Sequence, residues 1–184
     1  MTMHLNNFSL PFSNRVVSVF LAIFTSLISF PNLAQEEPVK IYALNWLDKQ
    51  HVDKQVERID DIARAKLGVQ VRNNRDDLVL LQRIVNKGLI DKNERLLLQA
   101  MGAVLGNLLI NEYPLQWMVY EDEYGRSHAA CVKETDYCLF PITMLSRRME
   151  VGIIVNVEDI YNNAVELITP YLPKDPYNKT EPSR

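Results

Sequence analysis

Apolar positions recur at helical spacing along the first two thirds of the chain, and after Pro114 the period changes to two. Val52, Val56, Ile59 and Ala63 form the first stripe, with Asp, Lys, Glu and Arg on the other side. That pattern predicts a helix from about Asp48 to Leu67, stopped by Gly68 in a left-handed conformation. Trp46 and Leu47, at the end of an extended lead-in over residues 35–47, are expected to staple this helix to the core. A second stripe, Leu78, Leu81, Ile84 and Val85, predicts a helix capped by Asn74 and closed by Gly88. Asp76 and Asp77 fall in its positive first turn, so helix-start electrostatics accounts for that acidic pair. A third helix follows Asp91 and Glu94, which are spaced as in a capping box. Between Leu96 and Ile110 nearly every residue is apolar or small, so this helix is expected to be central and buried on most sides. Gly102 and Gly106 share one of its faces, where another backbone is expected to come close.

The alternating stretch places Trp117, Val119 and Glu121 on one face of a strand and Met118, Tyr120 and Asp122 on the other. Turns at "EYGR" and "KETD" then predict a three-stranded antiparallel meander ending at Pro141. Pro141 suits the first turn of a helix that stops at Gly152, and Asn156 caps a last amphipathic helix ended by Pro170. The expected class is α+β: three N-terminal helices, the meander, and two C-terminal helices in one domain over residues 48–170. The polar, proline-rich segment 171–184 is expected to be a disordered tail.

The leader changes the picture. Arg15 is its only formally charged side chain before Glu36, and the apolar run "VVSVFLAIFTSLISF" follows. That run falls short of the ~20 residues that span a bilayer. Residues 1–34 therefore read as a signal peptide cut after Ala34, leaving a periplasmic or secreted protein with no stable membrane span. In an oxidising compartment, a disulfide between Cys131 and Cys138 is favoured over two reduced, half-buried thiols. The formal charge of −3 carries no basic excess, which argues against nucleic acid as a partner.

Between Trp117 and Pro141 lie acids, an arginine, a histidine and both cysteines, so catalysis there needs testing against known constellations. "GRSH" lacks the glycine pattern of a serine-hydrolase elbow, and the glycines are too scattered for a phosphate loop. Beyond the leader only His51 and His128 remain, too few for a zinc set, and "EDEYGR" lacks calcium-loop spacing. No metal and no cofactor are expected. Cys131 and His128 point to opposite faces of one strand and cannot form a nucleophile pair. Two hairpin registers remain open. A turn at Tyr124-Gly125 would set Glu123 opposite Arg126 and Glu121 opposite His128. A three-residue turn through Gly125 would set Asp122 opposite Arg126. Either cross-strand pair contributes about 0.2–1 kcal/mol. In the second hairpin, a "KETD" loop brings Val132 opposite Tyr137 and Cys131 opposite Cys138.

Four blocks in this order, "RDDLVLLQRIV", "LQAMGAVLG", "WMVYEDEYGRSHA" and "FPITMLSRRME", resemble the bacterial domain of unknown function 3806 family (DUF3806) over about Val56 to Glu150. The resemblance implies an exported or envelope-associated bacterial protein and supplies no catalytic residue. The cysteine pair looks like a local addition to the family pattern. The leading expectation is a non-enzymatic module that binds a protein, a peptide or an envelope component. Its expected surface is Glu121, Glu123, Tyr124, Arg126 and Arg147. The alternative is a small hydrolase or transferase using Glu121 or Glu123 with Arg126 or Arg147. Oligomeric state leaves no mark in the sequence. Mass spectrometry of the periplasmic protein is expected to find a start near Gln35, and a retained leader would overturn cleavage.

Overall fold

The computed structural model describes residues 38–173. The expected signal peptide, and the expected tail beyond residue 173, lie outside the described residues. The elements run β1 (Lys40–Ala43), α1 (Trp46–Leu67), α2 (Asp76–Asn86), α3 (Arg95–Glu112), β2 (Leu115–Asp122), β3 (Gly125–Val132), β4 (Cys138–Leu139), α4 (Pro141–Glu150) and α5 (Val157–Ile168). A 3-10 turn, Thr169–Tyr171, ends the series. The class is α+β. The sheet has one strand more than the expected meander, in the order β1-β2-β3-β4 with every pair antiparallel. Strand β1 comes from the segment read as a lead-in, and its four residues pair with Met118–Glu121 of β2. "KIYA" is too short and too exposed to carry a period, and only the open edge of β2 makes it a strand.

Helix α1 starts earlier than expected because Asn45 forms a capping box with Asp48. That shift reverses the expected role of Trp46 and Leu47, which are 66% and 67% exposed rather than stapled to the core. Asp48 faces inward, and the two residues before it lie about 100° and 200° around the helix. The buried stripe is Asp48, Val52, Gln55, Ile59 and Ala63, so it contains two polar residues. At the start of α2, Asn74 Oδ1 accepts from the Asp76 amide (2.9 Å). Asp77 does more than favour the helix start. It is buried, its Oδ1 accepts from the Arg72 amide (2.9 Å), and burial raises its pKa above the ordinary carboxylate value.

Helix α3 is the centre of the core, with Leu98, Met101, Val104, Leu105, Leu108 and Leu109 fully buried against the other helices and the sheet. Its glycines set the spacing, as expected. A Cβ at Gly102 would lie 2.5 Å from the Pro141 carbonyl oxygen and collide with Ile142 Cα, so α4 begins directly on the α3 backbone. Gly106 instead receives the ring of Trp117, whose Nε1 donates to Asn107 Oδ1 (2.9 Å). A polar staple joins α2, α3 and α5. Arg75 Nε donates to Glu112 (3.0 Å), Tyr161 Oη donates to the same carboxylate, and the Arg75 guanidinium lies 5.4 Å from the Tyr161 ring centroid. On the sheet, Cys131 and Cys138 are Cα partners and form a disulfide.

Gly102→Ala is expected to lower stability by about 1–3 kcal/mol, since backbone rather than a flexible side chain blocks the methyl group. Urea unfolding checks this. An unchanged or raised midpoint, the ordinary effect of Ala in a helix, would show that the α3–α4 contact yields easily.

Candidate functional site

The β2–β3 hairpin adopts neither of the two expected registers. Its turn residues are Glu123 and Tyr124, with Asp122 opposite Gly125, Glu121 opposite Arg126 and Val119 opposite His128. Gly125 takes the positive φ (118°) at the end of the turn, and Asp122 Oδ1 accepts from the Tyr124 amide (2.9 Å). Arg126 still has an acid as its Cα partner, but its guanidinium goes elsewhere. Glu121 accepts from the Tyr42 hydroxyl (2.7 Å), while Arg126 Nη2 donates to Asp48 Oδ2 at 2.6 Å.

Asp48 is therefore the junction between α1 and β3. Asp48 is 5% exposed, and its carboxylate serves three partners: the Asn45 amide (3.3 Å), Arg126, and His128 Nε2 at 3.2 Å. A carboxylate only accepts, so Nε2 of His128 carries a proton and donates. The Arg126 hydrogen bond holds the Asp48 carboxyl below the ordinary carboxylate pKa, against the opposing effect of burial. One turn along α1, the His51 ring lies 5.6 Å from the His128 ring. Burial lowers the His51 pKa, and the nearby His128 and Arg58 lower it further. Gln55 Nε2 is 3.1 Å from His51 Nε2. Gln55 is 3% exposed, and its Oε1 has no partner. His51, Gln55, Arg126 and His128 border a cavity of about 180 Å³ with Gln99, Ser127 and Thr143, flanked by Phe140 and Ile142.

The residues singled out from the sequence do not converge. Glu123 and Tyr124 project at the hairpin tip, where Tyr124 is 89% exposed. Arg147 lines a neighbouring groove of about 500 Å³ with Cys138, Met144 and Arg148. Arg126 alone of that set borders the cavity. Asp48, His51 and Gln55 were missed because charge was assigned to the outside of α1. The available signal was spacing: continuing the stripe Ala63, Ile59, Val52 toward the N-terminus takes in Gln55 and Asp48. Among the described residues, no group of three His, Cys, Asp or Glu side chains could hold a metal ion. No described helix is long and apolar enough to cross a membrane.

The His51 shift has a defined pH signature. A histidine whose folded pKa lies below its ordinary 6.5 binds fewer protons folded than unfolded, so stability is full above that pH. It then declines as pH falls from 6.5 toward the folded pKa. His51→Gln is expected to flatten this part of the stability–pH curve in thermal melts between pH 7 and 5. An identical slope in the variant would assign the dependence to other groups.

Three comparisons place the chain among known proteins. Residues 77–161 match the family described as Domain of unknown function (DUF3806). None of the curated proteins matches. A solved structure from Bacteroides thetaiotaomicron VPI-5482 is similar in fold, with a TM-score of 0.66 and 14% sequence identity. The similarity covers 75% of this chain and 51% of that one, so this chain spans about half the length of its structural neighbour. The family match starts later than the resemblance over about Val56 to Glu150, at Asp77, and includes Arg126 and His128 but not Asp48, His51 or Gln55. The match takes in all but the first residue of α2, and the whole of α3, the β2–β4 meander and α4, so over residues 77–161 this chain is similar to the family Domain of unknown function (DUF3806).

Proposed function

We propose that the chain is an exported binding module that recognises a protein, a peptide or an envelope component through the tip of the β2–β3 hairpin. The observation that carries this reading is Tyr124, 89% exposed at a tight turn whose backbone is held by Asp122 and whose root is anchored by Arg126 on Asp48. An aromatic ring presented on a short, braced turn loses little conformational freedom when it is buried by a partner. The acids beside it, Glu121 and Glu123, supply a polar rim. The Cys131–Cys138 bond supports an oxidising destination. Hydrolase or transferase chemistry at Glu121 or Glu123 needs an arginine directed at the same point. Arg126 is engaged by Asp48, and Arg147 borders another groove.

A photo-cross-linking residue at Tyr124 is expected to capture a reproducible partner in the host envelope, and one at Val79, exposed on α2, is not. Excess wild-type protein should compete this capture away, and Tyr124→Ala protein should compete at least tenfold less well. Equal capture at both positions, or none at Tyr124, would overturn recognition by the tip.

A further inference from the structure

We propose that the cavity between α1 and β3 is a binding site for an uncharged secondary amide, the group found in a peptide bond or in the acetamido arm of an amino sugar. The inference goes beyond recognition by the hairpin tip and stands without it.

The starting point is Gln55. It is 3% exposed, its Nε2 is engaged with His51, and its Oε1 is buried with no partner. A buried carbonyl left without a donor is costly, and Gln55 is one of the residues that line the cavity. Reversing the side-chain amide does not remove the deficit, since Oε1 would then accept from His51 and the NH₂ group would be left over. A secondary amide offers both an N–H and a carbonyl, so it satisfies either orientation.

The charged residue in the wall, Arg126, is already paired, which disfavours charged ligands. Asp48 and Arg126 neutralise each other at 2.6 Å, and both Asp48 oxygens are occupied. A carboxylate would face the Gln55 carbonyl, and the Arg126 cation beside it is already neutralised by Asp48. An ammonium group would lie beside the Arg126 guanidinium, and no carboxylate is among the lining residues. Gln99, Ser127 and Thr143 can serve the other half of an amide, while Phe140 and Ile142 suit the methyl or methylene group attached to it. Size narrows the choice further. About 180 Å³ is below the ~300 Å³ at which drug-sized pockets begin, so the site takes one functional group of a larger molecule.

The test is a titration of purified protein with its histidine side chains isotopically labelled, followed by NMR. N-methylacetamide is expected to shift the His51 and His128 ring signals saturably, with a Kd in the millimolar range, about what so few atoms can supply. Acetate and methylammonium should bind at least tenfold more weakly. Gln55→Met keeps the bulk, removes the orphan carbonyl and is expected to fold at least as stably; it should weaken N-methylacetamide at least tenfold. N-acetylalanine methylamide and N-acetylglucosamine then separate the two sources, and the tighter binder names the natural one. Absence of a saturable shift, equal binding of acetate, or unchanged affinity in Gln55→Met would overturn the proposal. Should Gln55→Met fail to fold, the three small probes on wild-type protein decide alone. The titration involves no partner protein, so its failure and failure of the Tyr124 cross-link are independent results.

Discussion

A buried carboxylate has to be paid for with partners, and Asp48 obtains its partners from three places at once. The Asn45 amide belongs to the turn that starts α1, while Arg126 and His128 stand two residues apart on one face of β3. Each partner constrains something different. The cap fixes where α1 begins, the arginine holds the root of the hairpin against the helix, and the histidine brings its ring near His51. Removing Arg126 would leave the Asp48 charge without its ion-pair partner in a place that excludes water. The candidate cavity and the proposed recognition tip both depend on this junction, one beneath it and the other beyond it.

Around that junction the fold is held by close packing. Helix α3 is apolar on nearly every side, and its glycines let α4 and Trp117 approach where any side chain would collide. The second polar cluster, Arg75 with Glu112 and Tyr161, differs in kind from the first. Its groups satisfy one another, and none of them leaves a buried polar atom without a partner. Gln55 has such an atom, and an unpaired polar group beside a cavity marks a place where a ligand is compatible with the wall. The stripe that buries α1 therefore serves both stability and recognition.

The solved neighbour at 14% identity speaks for the fold alone, and the family match extends over the segment from Asp77 to Tyr161. The candidate cavity draws most of its polar wall from that segment, and His51 and Gln55 from α1, which precedes it. A description confined to the matched segment would contain Arg126 and His128 without the carboxylate that organises them.

Periodicity, caps and turn residues were enough to place five helices, the switch to strands after Pro114, the opposition of Cys131 and Cys138, and the close approach at Gly102. These are local properties, or consequences of one residue type having no side chain. Strand β1 escaped because four mostly exposed residues become a strand only when β2 offers an edge. The hairpin register escaped because either neighbour of Gly125 could have ended the turn, and one residue of slip moves every partner. The candidate site escaped for the deepest reason. Asp48 and Arg126 are distant in sequence, and a charged residue on a helix is ordinarily solvated. Only the tertiary packing of α1 on β3 removes the water from Asp48, and that removal makes Arg126, His128 and Gln55 parts of one site.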